Sequence, residues 1–203
     1  MAFPFLTIFL IFLIVLNIAK HSTEKKEHES KDLFWQRENA SNAAPKKDIS
    51  SLNYIHFSLA DLPAPTSDPQ LLEEYEKLRL LSDATILNLT GYSNTDLKLN
   101  YGASNLTALI KYDQNFTQLC QLLNRIGDSF YQLSLYSEAI QILEFAVACQ
   151  SDISGTYRLL AQLYAARNQQ YRISDLIARA QNLNSLSREI IIRHLEEFVH
   201  TVE

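Results

Sequence analysis

The chain opens with an unbroken run of apolar residues. From Ala2 to Ala19 only two side chains are polar, and no Asp, Glu, Lys or Arg occurs before Lys20. As an α-helix this run has a length of about 27 Å, close to the bilayer hydrocarbon thickness of about 30 Å. The pattern therefore predicts a single transmembrane helix over residues 1–19.

Two other interpretations of this run are a cleaved signal peptide and a buried core helix. A signal peptide has basic residues before its apolar stretch and small residues at its cleavage site. Here nothing basic precedes Ala2, and Asn17-Ile18-Ala19 is followed directly by Lys20. Lys residues follow the run at positions 20, 25, 26 and 31. By the positive-inside rule, we expect a single-pass membrane protein whose body faces the cytoplasm and whose span contacts lipid.

Polar residues dominate the next segment, which is expected to be a charged linker. Residues 20–47 carry seven basic and five acidic side chains. Further on, apolar residues alternate with polar ones and several Pro follow: Ile55, Phe57, Leu59, Pro63, Pro65 and Pro69. This period of two predicts a Pro-rich extended arm that ends at residue 69, rather than a helix.

Helical periodicity begins after the arm. Apolar residues recur at three- and four-residue steps: Leu71, Leu72, Tyr75, Leu78 and Leu81. The preceding Ser67-Asp68-Pro69 is typical of a helix N-cap. The rhythm breaks over Ile86–Gly102, where we expect an irregular loop, with a short β-hairpin as the alternative. Residues 70–119 are therefore predicted to be a helical and irregular part of the body.

Residues 120–153 and 154–187 share one pattern of large and small residues at a shift of 34. The aligned pairs are Ile126 with Leu160, Gly127 with Ala161, Phe130 with Tyr164, Leu143 with Ile177, and Ala146 with Ala180. A small residue on the first helix of each unit lets the second helix cross closely. The pattern predicts two stacked helical hairpins, and the amphipathic residues 188–203 predict a capping helix over the last one.

In these residues the chain resembles the tetratricopeptide repeat (TPR) family. The first unit matches the family's order of large, small and aromatic residues at Leu123, Ile126, Gly127, Phe130, Tyr136, Ala139, Leu143 and Ala146. The second unit supplies Tyr157, Leu160, Ala161, Tyr164, Ile177 and Ala180. It departs at Ile173, where the family has a small residue, and both units have Ser where Pro is usual, at Ser151 and Ser185. The resemblance implies an all-α fold of TPR-like repeats; a plain helical bundle is the alternative.

The resemblance also implies a binding groove. In the family, outward residues of each first helix line an inner groove that holds a peptide or protein partner. The matching positions here are Asn124, Asp128, Tyr131, Arg158 and Gln162. Residues 120–152 carry one basic and four acidic side chains, whereas 153–193 carry six Arg and two acidic side chains. This separation of charge favours a dipolar partner.

The sequence contains little that indicates catalysis, cofactor binding or nucleic-acid binding. The net charge of −5 argues against nucleic acid as a partner. The four Gly are isolated, so there is no phosphate-binding loop, and no G-x-S-x-G or H-E-x-x-H motif occurs. We therefore expect no catalytic residue, metal ion or cofactor. Cys120 and Cys149 fall at the open end of the first hairpin, as two buried thiols or as a disulfide.

The function predicted from these patterns is protein binding. The first hypothesis is a membrane-tethered helical-repeat adaptor or scaffold that binds a peptide or protein partner in the groove. The alternative is a constitutive structural subunit of a larger membrane complex, whose apolar face is permanently covered.

Overall fold

The fold is all-helical, as predicted. The structure, a computed structural model, describes residues 4–200, without the side chains of 4–7, 11, 15, 18, 19, 22–26 and 200, and that range contains no β-strand. The eight α-helices of this range are α1 (Pro4–Asn42), α2 (Pro69–Ser82), α3 (Asn94–Tyr101), α4 (Leu106–Gln132), α5 (Tyr136–Ala148), α6 (Ser154–Ala166), α7 (Tyr171–Gln181) and α8 (Arg188–His200). Two short 3₁₀ turns occupy Leu59–Asp61 and Ala103–Asn105.

The predicted transmembrane helix is wrong. Residues 1–3 lie outside the described range, and residues 4–19 are the first part of α1 rather than a helix of their own. The helix continues through the segment expected to be a linker, where Glu27 and Lys31 form an ion pair of 2.7 Å at i,i+4 spacing. Among the described residues, no helix combines the length and the apolar character needed to cross a membrane. The predicted single-pass membrane localisation is therefore wrong as well.

The chain divides into two compact units, of which the first comprises Met1–Lys47 and Ser93–Leu106. Within it, polar contacts hold α3 against the end of α1. The Lys98 ammonium contacts the Glu38 carboxylate and donates to Asn42 Oδ1 at 2.7 Å, while Thr95 Oγ1 donates to Glu38 at 2.9 Å. The hydrogen bonds that the Glu38 carboxylate accepts, that from Lys98 first, lower the pKa of Glu38.

Helix α3 lies in the stretch predicted to be irregular. A capping box starts it, because Ser93 Oγ accepts from the Asp96 N–H at 3.2 Å and the Asp96 carboxylate accepts from the Ser93 N–H at 3.0 Å. Gly102 ends it with φ +92°, and a Cβ there would lie 2.4 Å from the Pro45 carbonyl oxygen. Hydrogen bonds and backbone conformation at its two ends stabilise this helix, although its apolar residues break the helical periodicity.

The second unit comprises Asp48–Tyr92 and Thr107–Glu203 and contains one hydrophobic core. Asp68 caps α2 as predicted, its carboxylate accepting from the Leu71 N–H at 2.8 Å. Gly127 on α4 faces Leu143 on α5 so closely that a Cβ would lie 2.6 Å from Leu143 Cδ2. This contact lets α4 and α5 pack closely, and α6 then packs against α5.

Helix α8 covers α6 and α7. Ile191 and Leu195 are fully buried, and Ser154 Oγ lies 3.3 Å from His194 Nδ1. Helix α8 begins at Arg188, and the predicted end of the capping helix, residues 201–203, lies outside the described range. The arm before α2 also packs on this core, through side chains that are half-buried: Ile55, Phe57, Leu59 and Leu62.

Candidate functional site

The residues matched to the predicted groove lie on α4 and α6, and we call this set the repeat groove: Asn124, Asp128, Tyr131, Arg158 and Gln162. Asn124, Asp128 and Tyr131 share one face of α4, because residues four and three apart on a helix are neighbours. Gln162 Nε2 donates to Tyr131 Oη at 2.9 Å, which joins the α6 part of the groove to the α4 part.

Only part of the repeat groove is available to a partner. Asn124 is half-buried, and its Oδ1 accepts a hydrogen bond of 3.0 Å from Thr156 Oγ1, so it links two helices. Asp128 is exposed, with one carboxylate oxygen accepting from Gln132 at 2.8 Å. Arg158 is exposed and forms no hydrogen bond or ion pair with the described residues. Asp128 and Arg158 therefore present opposite charges to solvent.

A cleft of about 280 Å³ continues the repeat groove toward the α4–α5 turn. Its lining includes two residues of the groove and four that sequence reasoning did not place in the site: Tyr131, Gln162, Tyr136, Leu163, Ala166 and Arg167. The rings of Tyr131 and Tyr136 lie 5.6 Å apart, and Arg167 donates to Ser137 Oγ at 2.9 Å. An aromatic wall beside a guanidinium suits a mixed apolar and polar ligand.

A second cavity, of about 510 Å³, lies elsewhere, between the arm and α5–α7. We call it the arm cleft. The arm lines it with His56, Phe57, Ser58, Asp61 and Leu62, and the helices line it mainly with Glu144, Phe145, Leu160, Tyr164, Arg172, Asp175, Leu176 and Arg179. Sequence reasoning missed this site because the arm and α7 are more than 100 positions apart along the chain.

Three polar side chains in the arm cleft satisfy one another. Arg172 forms an ion pair of 2.8 Å with Glu144, and its guanidinium lies 4.4 Å from the centre of the Tyr164 ring. Tyr164 Oη donates to the same carboxylate at 2.7 Å. Burial raises the pKa of Tyr164 above that of a free phenol, so its hydroxyl remains a donor. The ion pair also neutralises part of the charge separation predicted between the two repeats.

The two cysteines are buried free thiols. Burial raises the pKa of Cys120 and that of Cys149 to about 12, and a thiol with such a pKa is a poor nucleophile at neutral pH. The described structure therefore presents them as small core residues rather than reactive groups.

No protein-family profile, curated protein or solved structure matches this chain. The resemblance to the TPR family accordingly stays a prediction from the residue pattern.

Proposed function

We propose that this protein is a helical-repeat adaptor, with TPR-like repeats in α4–α7, that binds a peptide or protein partner in the repeat groove. The observation that supports the proposal is a contact between side chains of consecutive hairpins, in which Gln162 on α6 donates to Tyr131 on α4 at 2.9 Å. A partner that lies across both helices contacts the two hairpins at once.

The charges of the repeat groove define the partner further. Asp128 and Arg158 are both exposed, and neither forms an ion pair with the described residues. A partner segment with a basic side chain near Asp128 and an acidic one near Arg158 complements the groove, and the reverse orientation brings like charges together. Such complementarity determines orientation and association rate more than affinity.

Charge reversal tests this proposal. The full-length tagged protein, the variant Asp128→Arg/Arg158→Glu and the control Arg193→Glu, an exposed change on α8, are used to capture partners from the source cells. Proteins recovered with the wild type and the control are expected to be lost from the double variant, and each single variant is expected to show a smaller loss. Recovery of the same proteins in the same amounts by the double variant contradicts binding in the repeat groove.

A second candidate function is a constitutive subunit of a larger complex. What supports it is the exposure of large apolar side chains on α1: Ile8, Phe9, Leu10, Phe12, Leu13, Ile14, Leu16, Leu33, Phe34 and Trp35. An apolar surface of this extent is a protein-interaction surface in many soluble proteins. The two proposals differ when residues 1–19, which carry most of this surface, are deleted, since an adaptor keeps its partners through the repeat groove, whereas a subunit held by that part of the surface loses them.

A further inference from the structure

We propose that the arm cleft is a second binding site and that its occupant is an extended peptide segment of a partner protein, with an aromatic or large aliphatic side chain and an acidic side chain one or two positions away. This site goes beyond the repeat groove. Leu160 and Tyr164 line the arm cleft, whereas Arg158 and Gln162 belong to the repeat groove. Residues two apart on a helix point about 200° apart, so α6 presents the two sites on opposite faces.

The floor of the arm cleft is apolar. Leu160 is fully buried and Leu176 is 3% exposed, and together they close the bottom of the cavity. The rings of Phe57 on the arm and Phe145 on α5 lie 5.6 Å apart and form one wall. The volume of about 510 Å³ lies within the range of about 300–1,000 Å³ typical of ligand pockets. It accommodates one large apolar side chain and the backbone on either side of it.

The polar groups of a second wall are paired with one another. Arg172, Glu144 and Tyr164 are held by the ion pair, the hydrogen bond and the ring contact described above. Because each of these polar groups already has a partner, the wall does not require a charged group on the ligand. It therefore contributes shape to the site and leaves charge selection to other residues.

Arg179 is the residue that selects charge. Its side chain is exposed, lines the arm cleft, and forms no hydrogen bond or ion pair with the described residues. A free guanidinium at the edge of an apolar pocket suits a carboxylate, which it can bind with two parallel hydrogen bonds. Asp175, one turn earlier on α7, and Asp61 on the arm also line the cleft. A uniformly acidic peptide is therefore disfavoured, and the site requires an acidic group placed at Arg179.

The backbone of the arm has N–H and carbonyl groups that can form hydrogen bonds with an extended peptide. Ser58 has the extended conformation, with φ −111° and ψ 138°. The N–H groups of Phe57 and Ser58 and the carbonyl groups of His56 and Phe57 make no hydrogen bond to the described residues. An extended segment with free donors and acceptors is the kind of edge to which a peptide adds as a further strand.

The spacing of the acidic residue follows from the geometry of α7. Arg179 is three residues after Leu176, a rise of about 4.5 Å along the helix. Neighbouring residues of an extended peptide are about 3.4 Å apart, and residues two apart about 6.8 Å. A peptide whose apolar side chain lies over Leu176 therefore brings the residue one or two positions away to Arg179.

A peptide array tests the proposal with the full-length protein. The probe is a set of twelve-residue peptides. The sixth residue is Phe, Leu, Gln or Lys, and each residue within two positions of the sixth is Asp, Gln or Lys, in all combinations. The fluorescently labelled wild type is expected to bind peptides that have Phe or Leu at the sixth position and Asp one or two positions away. Replacing that Asp by Lys is expected to weaken binding about tenfold.

The variants assign the binding to one of the two sites. Arg179→Glu is expected to reverse the preference from Asp to Lys at the same peptide position, while Arg193→Glu, outside the cleft, keeps the wild-type preference. Both are exposed changes, and circular dichroism checks that the helices are retained. The proposal is overturned if no peptide class is enriched or if Arg179→Glu binds the same peptides as the wild type. If Arg158→Glu changes the preference instead, the repeat groove is the peptide site, which supports the proposed function and overturns the second site.

Discussion

Gly127 is the position at which one added methyl group tests the packing of the first hairpin. A Cβ there would lie 2.6 Å from Leu143 Cδ2 and 2.8 Å from Leu143 Cγ, whereas carbon atoms in contact are about 3.5–4.0 Å apart. Leu143 is fully buried, so it cannot rotate into solvent. Forcing extra atoms into a packed core costs about 1–3 kcal/mol, and the higher helix propensity of Ala offsets about 1 kcal/mol. Gly127→Ala is therefore expected to lower the free energy of unfolding by about 1 kcal/mol.

The measurement is thermal and urea denaturation followed by circular dichroism. For a chain of this size, about 1 kcal/mol corresponds to a decrease of about 2–4 °C in Tm. Gly127→Leu is expected to cost about 3 kcal/mol or more, because three further carbon atoms must be accommodated. The matched control is Gln141→Leu, an exposed position on the helix that carries Leu143, which should change the free energy by less than about 0.5 kcal/mol.

A double variant identifies the contact that is responsible. Leu143→Ala alone leaves a cavity and costs about 2–5 kcal/mol. In Gly127→Ala/Leu143→Ala the new methyl group occupies space that Leu143 has left. The loss of unfolding free energy in the double variant should therefore be about 1 kcal/mol smaller than the sum of the losses in the two single variants. A higher Tm for Gly127→Ala than for the wild type, together with additive costs in the double variant, would refute the close crossing.

Three further predictions concern both units. The Lys98 hydrogen bond lowers the pKa of Glu38 from 4.5, so the stabilisation by the ionised carboxylate is present above about pH 4.5 and lost as pH falls through the lowered pKa. The protection of α3 amides against hydrogen exchange, measured relative to the intrinsic exchange rate at each pH, should decrease over that range, and Glu38→Gln should remove this pH dependence. Cys120 and Cys149 should react with a thiol reagent at pH 8 only after unfolding, and the stability they contribute should decrease as pH rises from 9.0 toward about 12. Gly102→Ala should lower the free energy of unfolding of the first unit by about 1–3 kcal/mol, because Gly102 has a φ of +92°, which a residue with a side chain rarely adopts. An unchanged denaturation midpoint would contradict this strain.

The local signals in the sequence predicted parts of the fold well. The all-α class followed from helical periodicity, and the N-cap at Asp68 followed from a short polar side chain before Pro69. Helix α3 has a signal of its own, Ser93 three residues before Asp96, but the break in helical periodicity over Ile86–Gly102 predicts an irregular loop there. Capping residues satisfy backbone groups directly, so they are a better guide than apolar periodicity in so short a segment.

Long-range features were harder to predict. The apolar run at the start was interpreted from its own composition, although the helix that contains it extends to Asn42 through charged residues. The residues of the arm cleft come from segments far apart in sequence, such as Phe57 and Arg179, and periodicity within one element contains no information about such pairings. The repeat groove was accessible to prediction because its residues follow from a repeated spacing, and it stays a prediction that the charge-reversal variants test.

The arm also has a consequence for the timing of biosynthesis. Phe57 leaves the ribosome 88 residues before its partner Phe145, the difference between their positions in the chain. At a translation rate of about 5–20 residues per second, roughly 4–18 s pass between the synthesis of the arm and that of the surface on which it packs. During that interval the arm is an exposed, extended segment with alternating apolar side chains, Ile55, Phe57 and Leu59. Chaperones bind segments of this kind, and such segments also pair with other nascent chains. The arm cleft is therefore completed late in synthesis, only after α7 has emerged.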